Sequence, residues 1–420
     1  MTISELYKIY KEFSVICTDS RNIKQNSIFF ALKGENFNGN KFAQKAIKDG
    51  CKYAIIDDNE YNDKHCILVH DVKSTLQELA EFHRNQINIP VIGITGSNVK
   101  TTTKELINSI LSSEYNCYST KGNLNNQIGL PLSILEINDS HEIAVIEMGA
   151  SEIGEIRNLC RIAKPTSGLI TNIGKAHLEG FGSFEGVIKA KTELYHFLEE
   201  NNGTQFVNRN DDLLIKKSDE ESRITYGKES NSDYIAELTS SFPFISVKIK
   251  DTEINSNLVG KFQYDNIVAA SCIGNFYNIS YSNMKKSIEE YIPKNNRTEL
   301  IETEDNNIIL DAYNANPSSM ESMIESFIKL DKPNKICILG EMRELGAYSE
   351  EEHQKIINQM NASEIESIFV GEEFLSLTKK NTYLKTSDLI DNITRYNLKN
   401  RTILIKGSRG IKLEDLVKYL

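Results

Sequence analysis

Residues 91–103 read Val-Ile-Gly-Ile-Thr-Gly-Ser-Asn-Val-Lys-Thr-Thr-Thr, a set of types and spacings suited to holding phosphate. A short apolar run from Val91 to Ile94 breaks at Gly96, and Lys100-Thr101 opens a segment with helical spacing through Leu106 and Ile110. Strand, tight loop and helix in that order aim backbone N–H groups and a helix N-terminus at anionic oxygens. In such loops the lysine, here Lys100, reaches the β- and γ-phosphates, and the adjacent hydroxyl, here Thr101, holds Mg²⁺. The match to the generic pattern is incomplete, because Ile94 and Val99 stand where two glycines are expected. On this stretch alone, a chance turn is as good a reading as a nucleotide site.

Other segments shift that balance. Glu147 ends the apolar run 143–146, and a strand-end carboxylate beside a phosphate loop is placed to hold Mg²⁺. His177, in the loop 171–179, can ligate a metal, touch phosphate or lie on the surface. The run 122–131 packs Asn123, Asn125 and Asn126 between glycines, either as donors and acceptors for a polar ligand or as a plain turn cluster. In the helical segment 184–198, Lys189 and Lys191 fall on different faces, so at most one points inward, and a solvated pair is the expectation. Asp311 ends another short strand, where an aspartate can accept hydrogen bonds from ribose hydroxyls. Arg297, brought from a second domain, can neutralise charge on a transferring phosphoryl group. The turn 406–410, Lys-Gly-Ser-Arg-Gly, suits an anion or a helix cap.

The elements that must position these residues alternate short apolar strands with helix-period segments, which predicts an α/β protein with largely parallel sheets. Three domains are expected, at 1–88, 89–293 and 294–420, with Ile89-Pro90 and Ile292-Pro293 as breaks. Strands are predicted at 14–18, 27–32, 52–56 and 67–70 in the first, closed by a helix through Leu76, Leu79 and Phe82. The second holds the phosphate loop, strands at 143–147, 168–171 and 205–208, a polar stretch at 211–257 read as hairpins or an edge extension, and helices at 264–276 and 282–291. The third alternates strands at 308–310, 336–339, 367–370 and 402–405 with helices at 318–330 and 350–360, as in a small open nucleotide-type sheet.

At 420 residues the chain exceeds one typical core, and its net charge of −11 argues against a broad nucleic-acid surface. No apolar run approaches the ~20 residues that span a bilayer, and the N-terminus lacks a signal peptide's apolar core. Seven scattered cysteines, never spaced Cys-x-x-Cys, read as reduced thiols in a cytoplasmic protein. A monomer is the expectation.

With these segments in this order, the chain resembles the ATP-dependent Mur ligases of peptidoglycan synthesis, over essentially its whole length. The 18–21 run Thr-Asp-Ser-Arg and residues 29–39 look like that family's uridine-nucleotide-binding domain, and 95–102 looks like the Mur form of the phosphate loop. The asparagine-rich run 311–320, with 338–346 and His353, is similar to the members that add D-alanyl-D-alanine, and the Asp-Asn-Pro-Arg signature of another branch is missing. The resemblance implies an uridine-binding N-terminal domain, a central ATPase domain and a Rossmann-like C-terminal domain. It implies UDP-N-acetylmuramoyl-tripeptide, D-Ala-D-Ala and ATP as substrates, joined through an acyl phosphate. It places Thr95, Gly96, Ser97, Asn98, Val99, Lys100, Thr101 and Thr102 at ATP, with Asn266, Arg297 and Asp311 on the adenosine side. Thr101 and Glu147 would hold one Mg²⁺, and His177 and a carbamylated Lys191 a second. Lys100, His177, Lys191 and Arg297 would carry the chemistry, with Ser20, Arg21, Asn125 and Asn126 on the UDP substrate.

Three positions depart from the pattern. Phe262-Gln263 stands where many relatives have His-Asn, Asn40 replaces a frequent histidine, and Val99 replaces the glycine before the lysine. If position 99 needs a positive φ, a β-branched residue adds strain of order 1–2 kcal/mol and crowds the phosphate. Besides an active ligase, Val99 motivates a weakened or non-catalytic nucleotide-sugar binder. A folylpolyglutamate-type ligase shares the central fold but lacks a uridine-binding first domain.

Overall fold

A computed structural model describes residues 1–241 and 243–420; Phe242, inside the polar 211–257 stretch, lies outside the described residues. The first block builds a four-stranded parallel sheet in the order Ile16–Cys17, Ile28–Phe30, Tyr53–Ile56, Cys66–Leu68. A hairpin, Lys33–Gly34 with Phe37–Asn38, stands apart from it. The helix Val72–Arg84 then buries Leu76 and Leu79 in the same cluster as Ile134 and Leu159 of the central block. Arg84 is buried with it, donating through Nε to the Ala163 carbonyl at 2.8 Å, so this helix is bound to both blocks.

The central sheet has seven parallel strands in the order Tyr234–Ile235, Arg223–Gly227, Thr204–Asn208, Ser167–Ile170, Val91–Thr95, Ile143–Glu147, Cys117–Ser119. Val91–Thr95 is buried at every position because helices cover both faces, which is why the sequence reads as an unbroken apolar run. It sits where the strand order reverses, between Ser167–Ile170 and Ile143–Glu147. Ligands of open parallel sheets gather at the carboxyl ends of strands at such a point. The 211–257 stretch is both things expected of it and one more. It adds two parallel edge strands, a three-stranded antiparallel sheet of Glu237–Ser240, Ser246–Ile249 and Thr252–Asn255, and an unforeseen short helix, Asp212–Lys217.

The last block forms a six-stranded sheet ordered Glu299–Glu302, Asn306–Asp311, Arg401–Lys406, Lys335–Gly340, Glu366–Val370, Thr382–Tyr383. Its first pair is antiparallel and the others are parallel. Pro317–Ile328 begins with an Asn316 cap and proline in the first turn, and buries Met320, Met323, Ile324 and Phe327. No helix among the described residues is long and apolar enough to cross a membrane.

Candidate active site

The carboxyl ends of the central and C-terminal sheets face each other across a cleft of about 1320 Å³. Its floor is the loop after Val91–Thr95. Gly96 turns there at φ 146°, and a Cβ in its place would lie 2.0 Å from Thr171 Oγ1. Glycine is therefore required by space as well as by dihedral. Ser97 Oγ donates to the Gly174 carbonyl and accepts the Gly174 N–H, both at 2.9 Å. Asn98 N donates to Asn172 Oδ1 at 3.0 Å, and Thr171 Oγ1 donates to the Asn98 carbonyl at 2.7 Å. These bonds fix the loop to the neighbouring strand's exit.

Val99 adopts φ 57° and ψ 11°, the left-handed region, and caps Lys100–Leu111 without a side-chain bond. The position does require positive φ, and valine is among the least suited residues to supply it. Lys100 Nζ donates to the Gly96 carbonyl at 2.7 Å and bends over the loop. Burial pushes its pKa down; Glu147 opposes that shift and Arg297 adds to it.

Glu147 is 2% exposed at the end of its strand. Its Oε2 accepts from Thr101 Oγ1 at 2.9 Å and its Oε1 from Asn125 Nδ2 at 2.7 Å. Lys104, which no motif singled out, donates to the Thr120 carbonyl at 2.6 Å, while Thr120 Oγ1 accepts the Glu147 N–H. Hydroxyl and carboxylate oxygens are the ligands Mg²⁺ takes, usually with waters and substrate phosphates completing its shell. No group of three or more His, Cys, Asp or Glu side chains that could hold a metal ion occurs among the described residues.

His177 lines the cleft at φ 51°, and its Nδ1 contacts the Glu344 carboxylate from the C-terminal block. The expected solvated pair on Phe184–Glu200 is half wrong: Lys189 is exposed, but Lys191 is 1% exposed. Helical periodicity separates the two faces without saying which one packs. Lys191 Nζ lies behind the cleft wall, 3.3 Å from the Ala150 carbonyl and 5.1 Å from the Phe181 ring centroid. Burial, reinforced by Lys100 and opposed by Glu155 and Glu193, lowers its pKa to about 7.

On the facing wall, the Arg297 guanidinium stacks 3.6 Å from the Tyr313 ring centroid. Asp311 is already engaged, with Oδ2 accepting from buried Lys406 at 2.6 Å and Oδ1 from the Thr298 N–H at 3.2 Å. The 406–410 turn thus supplies a partner for Asp311. Asn266 is likewise occupied, accepting from Thr103 Oγ1 at 3.1 Å and donating to Gln263 Oε1 at 2.6 Å. The departure at Gln263 therefore acts by holding the Asn266 amide. Asn316 Nδ2 donates to Asn98 Oδ1 at 2.7 Å, joining the asparagine-rich run to the phosphate loop.

The uridine-side candidates are dispersed. Arg21 is exposed and pairs twice with Asp19, at 2.9 and 2.8 Å. Ser20 is buried beside it, and neither lines the cleft, to which the N-terminal block contributes Lys33 and Lys73. Asn125 turns to Glu147, and Asn126 Oδ1 accepts the Ile128 and Gly129 N–H groups just before Gly129–Leu135. Asn40 is fully buried and bonds Asn38 and Asp57, an arrangement in which an amide replaces the frequent histidine.

Three family models match in sequence order: the Mur ligase family catalytic domain at 12–96, the middle domain at 94–274, and the glutamate ligase domain at 296–409. The UDP-N-acetylmuramoyl-tripeptide–D-alanyl-D-alanine ligase of Bacillus subtilis is 35% identical, covering 96% of this chain and 92% of its own. The chain belongs to the Mur ligase family. A crystal structure of MurF from Acinetobacter baumannii superposes with a TM-score of 0.87 at 28% identity, covering 100% of this chain and 98% of that one. MurF ligase from Thermotoga maritima in complex with ADP gives 0.83 at 26% identity, covering 96% of both chains. This chain thus has the three-domain α/β fold of the Mur ligases, and its phosphate loop carries a valine in the left-handed region just before Lys100.

Proposed function

We infer that this Mur ligase joins D-alanyl-D-alanine to UDP-N-acetylmuramoyl-tripeptide with ATP, making a C–N bond in peptidoglycan precursor synthesis. The observation that carries the reading is the convergence of Lys100, Thr101 and Glu147 with Arg297 in one cleft between two sheets. The relatives' shared activity over nearly the full chain favours it over a folylpolyglutamate-type ligase.

In this scheme the tripeptide's terminal carboxylate attacks the γ-phosphorus, releasing ADP and leaving an acyl phosphate. The D-Ala-D-Ala amine then attacks the acyl carbon, and phosphate departs from a tetrahedral intermediate. Both reacting partners of the first step are anions, so cationic groups must offset their repulsion. Lys100 and Arg297 supply that charge from opposite walls. Thr101 and Glu147 fit a Mg²⁺ ion, which when bound would screen the phosphate oxygens. His177 and Lys191 are the proposed ligands for a second ion. For Lys191 this requires carbamylation, which would turn its amine into a carboxylate-like group. A depressed pKa supplies the neutral amine that reacts with CO₂. Asn266, Arg297 and Asp311 form the adenosine side, and Ser20, Arg21, Asn125 and Asn126 serve the UDP substrate. The corresponding domain limits are 1–88, 89–293 and 294–420.

The test is one incubation of the chain with UDP-muramoyl-tripeptide, D-Ala-D-Ala and ATP, followed by product mass and phosphate release. One ADP and one phosphate per pentapeptide product are expected. Tight UDP-tripeptide binding without phosphate release would leave only a binding protein.

A further inference from the structure

The loop after Lys335–Gly340 crosses from the C-terminal block to the central one, and its conformation is specified residue by residue. Glu341 N donates to the Val370 carbonyl at 2.9 Å, and Arg343 N donates to Ser408 Oγ at 3.2 Å. Between them, Met342 N donates to Nε2 of buried His353 at 2.9 Å. The other ring nitrogen, Nδ1, lies 2.8 Å from the Ser349 carbonyl, so His353 is neutral with its proton on Nδ1. Met342 and Leu345 are both 2% exposed and join the cluster containing Leu178 and Phe181 of the central block. Glu344, between these two anchors, is left-handed at φ 63°. Such a conformation in a non-glycine residue is kept only when its surroundings enforce it. Here it brings the Glu344 carboxylate against His177 Nδ1, a buried atom that has no hydrogen bond of regular geometry among the described residues, while the Glu344 carbonyl accepts the Glu179 N–H at 3.2 Å.

We propose that Glu344 is a positioning residue: it fixes the ring and tautomer of His177 from the opposite domain, so that Nε2 faces the cleft with its lone pair only when the C-terminal domain is docked. A carboxylate holding Nδ1–H is the usual way a protein orients a histidine and strengthens its other nitrogen as a ligand. The unusual feature is that the two partners belong to different blocks of the chain. Docking of the domain then becomes part of assembling the site. The consequence for metal binding rests on His177 being a ligand, as read above.

The experiment uses the full chain labelled with ¹⁵N-histidine, as wild type, Glu344→Ala, Glu344→Gln and His177→Ala. The Glu344 side chain is 58% exposed, so its replacement leaves the apolar anchors in place. Two readouts are taken: the His177 tautomer by long-range ¹H–¹⁵N NMR, and Mn²⁺ binding by EPR with a non-hydrolysable ATP analogue. The wild type is expected to show the Nδ1–H form. Glu344→Ala should lose it and weaken the weaker Mn²⁺ site roughly 10- to 100-fold. Glu344→Gln, which keeps an acceptor oxygen, should restore the tautomer. A His177 signal and Mn²⁺ titration unchanged in Glu344→Ala would overturn the proposal. If Glu344→Ala shifts the tautomer but His177→Ala leaves Mn²⁺ binding intact, positioning stands and the metal role of His177 falls.

Discussion

The phosphate loop and the proposed uridine side of the molecule are built on different terms. Around the phosphate loop, polar side chains already hold protein partners: Thr101 and Asn125 on Glu147, Asn172 and Thr171 on Asn98, Lys406 on Asp311. On the proposed uridine side, outside the cleft lining, Arg21 is exposed and, among the described residues, is bonded to its neighbour Asp19. A prearranged end lowers the reorganisation needed when charge develops, so a misfit there reaches the rate. An exposed end gives little to the fold and makes its contacts with the ligand. Substitutions at the two ends should therefore separate turnover from affinity.

The largest effect is expected at Glu147. Glu147→Gln keeps the size and one acceptor but removes the charge beside Thr101, and kcat for ADP release should fall ~10²- to 10³-fold. Retained turnover with normal UDP-substrate affinity would show that the phosphate end does not depend on this carboxylate.

Val99 tests whether prearrangement at that end is complete. Its backbone is left-handed, and nothing from its side chain compensates. Val99→Gly should relieve strain of order 1–2 kcal/mol, raising the melting temperature. It should also raise kcat/KM for ATP by ~10- to 1000-fold, if ~1.4–4 kcal/mol of phosphate stabilisation is regained. Equal rates of ADP release would refute the idea that this valine limits the enzyme.

Lys191 gives a pH signature. Its folded pKa of about 7 lies below the ordinary 10.5, so between those values the unfolded chain binds more protons than the folded one. Stability should rise with pH across that window in CO₂-free buffer. The rise should shrink in Lys191→Met, measured as the unfolding midpoint at pH 7 and pH 9, the remainder coming from Lys100 and Lys104, whose pKa values burial also lowers. A rise of unchanged size in the variant would assign it wholly to those other groups.

A smaller effect is expected where the facing walls touch. Asn316→Ser retains a cap for Pro317–Ile328 but is too short to reach Asn98. Losing one hydrogen bond of ~1 kcal/mol should raise KM for ATP about fivefold with kcat little changed. A kcat loss without a KM change would mean that the bond matters in the transition state instead.

Local pattern explains what was readable beforehand. The apolar runs at 91–94 and 143–146 are strands at the predicted places because both faces of the sheet are covered, and the phosphate loop is contiguous in sequence. The sequence raises a positive φ at residue 99 only as a condition, and the structure meets it. What sequence could not give were meetings between distant residues: Asn98 with Asn316, His177 with Glu344, Thr103 with Asn266. These depend on how the domains dock, which no periodicity encodes. Lys406 was visible only as part of a turn, and its ion pair with Asp311 follows from adjacent parallel strands in register.

The uridine end supplies the last and smallest test. Arg21→Ala removes an exposed guanidinium whose partners among the described residues are the oxygens of Asp19, an aspartate its bonds hold down to a pKa of about 2. Exposed pairs of this kind contribute little to folding because solvent screens them and two long side chains must be ordered. The melting temperature should therefore not move measurably. If Arg21 serves the UDP substrate, KM for UDP-muramoyl-tripeptide should rise several-fold while KM for ATP and kcat stay near wild type. In the same variant the Asp19 pKa should rise as the guanidinium is lost but stay below the ordinary carboxylate range, because the residue 21 N–H still donates to Oδ1, a change detectable by ¹³C NMR titration. A KM that stays constant while that pKa rises would leave Arg21 as nothing more than the partner of its neighbour, and the uridine contact would have to come from residues that face the cleft, such as Lys33 and Lys73.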